Sequence, residues 1–245
     1  MIVTTSWDDG HVADLRLADL LEDAGVSATF YIALQNCELT ARERLSPAAV
    51  RALSERFEVG SHGQTHVPLT RVTPARARRE MADSRAALSD VTGQPVDTFC
   101  YPRGAHNHRL AVLARECGYR YARTVRGFAL RAPADPWRAG VTLETARPGV
   151  HQWPRCSARC LALGLASPAT LTDWGRRAVA LFERARNDDG VFHMWGHSWV
   201  LDRRGQWDTL RSVLRHIGQC PEVTMLTNGE LARLGAAERF ERRAR

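Results

Sequence analysis

The regular alternation of short β-like runs with amphipathic helical stretches, from one end of the chain to the other, constrains this sequence most. Residues 2–6 read as a strand. Asp14 to Ala24 then place Leu17, Leu20, Leu21 and Ala24 on one helical face, with Gly25 as the stop. A strand follows at 28–32, and Ser46-Pro47 opens a helix carrying Val50, Leu53 and Phe57. A third short strand leads into Gly60, and Thr73-Pro74 starts a helix reaching about Val91 before Gly93. Residues 98–101 are strand-like, Asn107 caps a helix bearing Leu110, Leu113 and Cys117, and another strand spans about 119–125. The stretch 127–165 has the weakest pattern, with a strand expected over 141–144 and a Pro/Arg-rich loop after it. Thr172 begins a helix that turns Ala178, Leu181 and Phe182 inward. A strand at 191–195, a helix at 208–217, a strand at 223–226 and a short helix complete the chain. Seven or eight such β-α units without a linker or an internal repeat imply a parallel sheet, closed into a barrel or doubly wound.

At 245 residues the chain can form one large domain or two small ones, and its ordinary shares of hydrophobic (44%) and charged (25%) residues favour one. A basic tail over about 236–245 is expected to be a solvated, fraying helix end. No stretch approaches the roughly 20 apolar residues of a membrane span, so membrane insertion is not expected. The amino terminus lacks a basic region followed by an apolar core, which leads to an expectation of a cytoplasmic protein. The net charge of +7 comes largely from arginines spread over helix faces, without interleaved aromatics, and a nucleic-acid partner is not expected. Among six cysteines only Cys156 and Cys160 are close; free, mostly buried thiols are expected.

The polar groups with chemical potential fall where predicted strands end, the place where barrel enzymes gather their sites. Asp8 and Asp9 end the first strand, His62 and His66 follow the third, Tyr101-Pro-Arg-Gly104 ends the fourth, and His197 follows the strand at 191–195. Each signal has a plainer reading: Asp-Gly is a common turn, and an H-x3-H pair is often surface or core histidine. Together they make a two-histidine, one-carboxylate set, with His62 and His66 expected on one face of a helical turn. Such a metal lowers the pKa of bound water towards ~7. A neighbouring carboxylate, Asp8, would take the water's second proton, and His197 would protonate a leaving amine. Adjacent side chains at a strand end point opposite ways, which gives Asp8 and Asp9 different roles. His193 lies mid-strand and is expected to be buried. Trp195 and Trp199 flank His197 and are placed to stack on a sugar ring, unless they are core. His106, His108 and His151 read as loop histidines, with His11 the exception to watch because it follows Asp9 closely.

These residues resemble the polysaccharide deacetylases of carbohydrate esterase family 4. The first motif of that family is similar to Thr5-Ser-Trp-Asp-Asp-Gly10, in which the first Asp is the base and the second a metal ligand. The second, H-[ST]-x-x-H, is similar to His62-Gly-Gln-Thr-His66, with Gly in place of the small hydroxyl residue. The third resembles Phe99-Cys-Tyr-Pro-Arg-Gly104, which assigns oxyanion binding to the Arg103 N–H and places Tyr101 among the substrate-binding residues. The last matches Phe192-His-Met-Trp-Gly-His197. The resemblance runs from residue 1 to about 235 and implies a distorted (β/α)7 barrel in a single catalytic domain over 1–245. There are two departures. The arginine that braces the catalytic aspartate in the family is Cys100 here, with Arg123 as a substitute to test. The family's Asp-Trp motif has a counterpart in Asp173-Trp174, although helix capping explains those residues equally well.

The resemblance implies removal of an N-acetyl group from an amino sugar or a small sugar-containing metabolite, with a divalent metal, Zn²⁺ first and Co²⁺, Ni²⁺ or Mn²⁺ as alternatives. A second reading keeps the metal and cleaves another C–N amide bond in a small nitrogen metabolite; a closed, arginine-lined pocket would favour it, and a long aromatic groove would favour a glycan polymer. A third is a degenerate barrel that binds metal without turnover, kept open by Cys100.

Overall fold

Strand β1 (Ile2–Asp9) sits at the centre of the parallel sheet, flanked by β2 (Ala28–Ile32) and β7 (Val191–Gly196). The computed structural model describes residues 1–146, 153–165 and 167–244, with side chains through 237. His151 and the side chains of the 238–245 tail therefore lie outside the described residues. Outward from β2 come β3 (Glu58–Ser61), β4 (Thr98–Cys100) and β5 (Tyr121–Arg123). On the other side β7 pairs with β6 (Leu143–Glu144). The ring closes through the segment leading into β6, where Ala139 bridges Arg123 in parallel. Ala139 donates its N–H to Ala122 and accepts from Thr124. The result is the (β/α)7 barrel, distorted because β5 and β6 meet through one bridge rather than a ladder. The last strand, β8 (Thr224–Met225), pairs only with Ile2 and Val3, below the point where β2 begins at Thr5.

The helices cover the outside as the apolar periodicity requires. Helix α1 (Asp14–Asp23) buries Leu17, Ala18 and Leu21, and α2 (Pro47–Ser54) buries Val50 and Leu53 behind the Ser46 cap. The long α3 (Pro74–Thr92) starts at a Thr73 cap and ends at Gly93, whose positive φ of 69° terminates it. Next comes α4 (His108–Glu116), capped by Asn107. The stretch 127–165, which shows little periodicity, contains a helix that sequence reading did not anticipate, α5 (Trp153–Ala162). Thr172 ends the short α6 (Pro168–Thr172) rather than opening a helix, and Asp173 caps α7 (Trp174–Asn187) instead. Beyond β7 lie α8 (Ser198–Arg203), α9 (Trp207–Gly218) and α10 (Asn228–Ala244).

The barrel interior is polar. Thr4, Ser6 and Asp8 alternate along one face of β1, so all three point inward. Thr4 donates to Asn228 at the start of α10, which in turn bonds Tyr31 and Thr29 and closes the barrel floor. Ser6 meets His193 at 2.8 Å. Asp8 occupies the top layer, where the chemistry gathers.

Candidate active site

Asp8 is 3% exposed, and its Oδ1 accepts a hydrogen bond from the Arg123 guanidinium, itself fully buried. In the register of the sheet Cys100 lies beside Arg123, so the guanidinium reaches Asp8 from the strand adjacent to Cys100. The Cys100 thiol donates to Asp8 Oδ2 at 3.5 Å. Burial alone would raise the Asp8 carboxyl; the charges of Arg123, His62 and His197 outweigh it and hold the pKa at about 2. Burial pushes the Cys100 thiol well up, and the neighbouring carboxylates add to that, so it stays protonated. The Arg123 guanidinium also faces the Trp195 and Tyr31 rings, at 4.6 and 5.3 Å from their centroids.

Asp9 lies one residue further along and in different surroundings. Its φ of 87° is left-handed, and Gly10 after it has φ 72°. This turns the Asp9 carboxylate over the barrel rim instead of out toward the helices, where strand alternation would send it. A Cβ at Gly10 would come within 2.8 Å of the Ile32 side chain, so only glycine completes the turn. Asp9 Oδ1 lies 3.3 Å from His66 Nε2 and 3.8 Å from His62 Nε2, yet it is buried without a hydrogen-bond donor. Asp9 Oδ2 accepts from the Trp199 indole N–H at 2.8 Å.

His62 and His66 follow β3 in a loop rather than on the helical turn that H-x3-H spacing implies; Gly63 (φ 75°) and His66 (φ 64°) bend the chain so that the rings approach to 4.7 Å. Both rings use Nδ1 for support: His62 against the Cys100 carbonyl at 2.8 Å and His66 against the Glu38 carboxylate at 2.9 Å. His66 Nε2 is thereby aimed at Asp9, and His62 Nε2 sits 3.8 Å from both Asp9 Oδ1 and Asp8 Oδ2. Burial, reinforced by His66, holds His62 down at about 4 against the pull of Asp8 and Asp9, so it is a neutral ligand at pH 7. Converging nitrogens with braced far sides and an unsatisfied carboxylate oxygen are what a metal site needs. Asp9, His62 and His66 bring one donor atom each within 4.8 Å of one another. Asp8, His62 and Cys100 also meet that distance, but Asp8 is already bonded to Arg123 and Cys100 keeps its proton. The Asp9 set fits a cation; the Asp8 set has its charge balanced.

His197 opens α8 with Nε2 3.8 Å from Asp9 Oδ2, and its ring lies between Trp195 and Trp199, 5.3 and 5.6 Å from their centroids. His193, as its mid-strand position implies, is buried; burial and the Arg123 charge hold it neutral at about 3. Arg103 has a left-handed φ of 56°, and its side chain pairs with Glu38 at 2.9 Å, extending the chain from His66 to the surface.

Three expected contacts take another form. Tyr101 is fully buried with its hydroxyl donating to the Trp137 carbonyl, so its ring packs the core beside Phe99. Trp199 holds Asp9 rather than presenting a free stacking face, and Arg203 lies over its ring. Asp173 caps α7 through Gly175 and Arg176 while Trp174 is buried; among the described residues no contact joins either to His197. His11 accepts from the Ala13 N–H and shapes the entry to α1. Sequence reasoning missed Glu38, the carboxylate behind His66, and Glu144, which faces His197 from β6. Only the strand pattern at 141–144 hinted at the second.

Fold and site define the class: a (β/α)7 barrel with an Asp-His-His cluster at the carboxyl ends of its strands. The polysaccharide deacetylase family model matches residues 1–122, the part of the chain that carries Asp8, Asp9, His62, His66 and Arg103. It is 36% identical over 106 residues to the Bacillus subtilis (strain 168) protein named "Putative polysaccharide deacetylase YheN", a match covering 42% of this chain and 36% of YheN. A second such protein of that strain, YxkH, is 24% identical over 119 residues, or 48% of this chain and 42% of its own. The chain thus matches less than half the length of these relatives. Among solved structures, a polysaccharide deacetylase from Mycobacterium smegmatis, so named as "putative", superposes with TM-score 0.70 at 16% identity, over 97% of this chain and 91% of its own. A family 4 acetyl xylan esterase from Clostridium thermocellum, solved with a cobalt ion, gives TM-score 0.55 at 16% identity, over 96% and 91%. These likenesses show that the barrel spans nearly the whole chain. Among the described residues no helix is long and apolar enough to cross a membrane.

Proposed function

We propose that this chain is a metal-dependent amide hydrolase that removes an N-acetyl group from an amino sugar or a small sugar-containing metabolite. The observation that carries the reading is the division between the neighbouring carboxylates: Asp8 is charge-balanced by Arg123, whereas Asp9 keeps an unsatisfied oxygen beside two histidine nitrogens. Asp9, His62 and His66 would hold a divalent metal, with Zn²⁺ the first choice for this donor set and Co²⁺, Ni²⁺ or Mn²⁺ able to take it. When bound, it supplies a water of lowered pKa, near ~7, and polarises the acyl oxygen.

Asp8 remains ionised throughout the neutral range and offers Oδ2, the oxygen not bonded to Arg123, as the proton acceptor. A carboxylate near 2 is a weak base, so it suits a water that is already acidified. Arg123 fixes its direction, the task that the family gives to an arginine at the position of Cys100. The Arg103 N–H is assigned to the developing oxyanion. His197 Nε2 hands a proton to the departing amine, with Trp195 and Trp199 fixing its ring. The match of residues 1–122 to the polysaccharide deacetylase family model supports the choice of an N-acyl substrate.

The test is acetate release from a panel of N-acetylated sugars by wild type, Asp8→Asn and His197→Ala. General acid–base groups contribute about 10²–10⁴-fold, so both variants should fall by that order; wild-type rates in both would show the roles to be misassigned. The second reading, cleavage of another linear or cyclic amide in a small metabolite, draws support from an arginine-lined cavity beside Trp195. It is separated from the first by including such amides in the panel.

A further inference from the structure

Beside the catalytic groups, over the carboxyl ends of β5, β6 and β7, lies a cavity of about 520 Å³ whose lining includes Trp195, Glu144 and four arginines: Arg126, Arg155, Arg159 and Arg177. Trp195 is its shared wall with the active site. The same indole stacks against His197 and carries the Arg123 guanidinium that pairs with Asp8. A group seated in the cavity is therefore next to the reacting atoms, within the reach of one substrate molecule.

The four arginines differ in what they already do. Arg177 is buried and donates to the carbonyls of Thr170, Leu171 and Ala146, so its hydrogen-bonding capacity is committed to holding the cavity floor. Arg126, Arg155 and Arg159 are exposed, and among the described residues none has an acidic partner. Elsewhere on the surface Arg56, Arg78, Arg85, Arg120, Arg184, Arg186 and Arg211 each pair with a carboxylate, whereas these three line one cavity together. Arg155 and Arg159 stand four residues apart on α5, on one helical face, where like charges repel unless something negative sits between them. Arg126 approaches from the loop after β5. Against these stands one acidic wall group, Glu144, whose carboxyl is pushed up by burial and which also faces His197 and Arg123.

We propose that this cavity binds an anionic group of the substrate, a phosphate or a carboxylate, and so selects a small, negatively charged N-acyl compound over a neutral glycan chain. Guanidinium forks suit both anions through paired N–H donors. The proposal rests on the hydrolase reading for the identity of the scissile bond, while the anion site stands on the cavity itself.

Three probes test it by calorimetric titration against Asp8→Asn, whose slowed turnover lets binding be read: neutral N-acetylglucosamine, N-acetylglucosamine 6-phosphate and the carboxylate N-acetylneuraminic acid. One or both anionic probes should bind at least ~10-fold tighter than the neutral one, an advantage weakened by salt and lost in Arg155→Ala/Arg159→Ala, with neutral-sugar binding unchanged. The probe that shows the advantage identifies the anion. Equal binding of all three, or an advantage that survives loss of both arginines, would overturn the proposal; circular dichroism and metal content confirm that the variant is folded. In wild type, acetate release from none of the probes despite anion-selective binding would sink the hydrolase reading alone. Release from the neutral sugar without anion preference would sink the anion site alone.

Discussion

The barrel interior and the barrel rim treat two adjacent aspartates in opposite ways. Inside, Asp8 finds a guanidinium, a thiol and a dry shell, and its charge is balanced by the protein alone. On the rim, Asp9 has an indole N–H on one oxygen and two imidazole nitrogens, neither hydrogen-bonded to it, around the other. The difference arises from one backbone torsion, the left-handed turn at Asp9 that Gly10 continues. It teaches that the interior half of the site is complete as folded, whereas the rim half has the donors that a cation would complete. A protein with both halves satisfied would be a structural barrel; one with both unsatisfied would be unstable.

The sharpest way to break the comparison is to exchange the roles. Asp9→Asn should abolish metal binding and turnover together, whereas Asp8→Asn should keep the metal and lose about 10²–10⁴-fold in rate, read by acetate release. Next in size is Arg123→Ala. It leaves a buried carboxylate unpaired and should cost about 3–5 kcal/mol in denaturant unfolding. Asp8 has a folded pKa below its unfolded value, so the pairing stabilises fully above about pH 4 and is lost as pH falls through about 2. Without Arg123 the carboxyl pKa rises and the acid limb of the pH–rate profile moves up; an unchanged profile would remove Arg123 from the mechanism.

On the rim, Glu38→Gln removes the charge behind His66 and should weaken metal affinity by about 10–100-fold, without the loss of fold stability seen for Arg123. The smallest effect concerns Asp14, fully buried; burial, outweighing a contact with Ser198, raises its pKa well above the usual range. An acid with a raised folded pKa loses stability as pH rises past its unfolded value near ~4. Asp14→Asn should therefore raise Tm at pH 7, by about 1 kcal/mol equivalent or more, with the gain vanishing toward pH 4.

Much of this arrangement is legible in the sequence because barrel chemistry sits at strand ends, and Asp8, Asp9, His62, His66 and His197 fall where period-two runs stop. The legibility fails where chain reversal decides contact. Glu38 lies 28 residues before His66 in a loop without pattern, so nothing local announces their bond. Tyr101 reads as part of a site motif, but the end of β4 sends it into the core beside Phe99 and Trp137. The H-x3-H spacing suggests a helical turn, and two left-handed residues reach the same convergence by another route. Helix α5 is concealed because Pro154 and the Pro/Arg-rich run before it read as a loop, and that helix lines the anion cavity.

The central claim, that the rim carboxylate and not the interior one holds the metal, is tested most directly by metal stoichiometry in purified wild type, Asp8→Asn and Asp9→Asn. The account predicts one divalent metal per chain in the first two and none in the third. Metal retained by Asp9→Asn and lost by Asp8→Asn would contradict it, and would move the site to Asp8, His62 and Cys100.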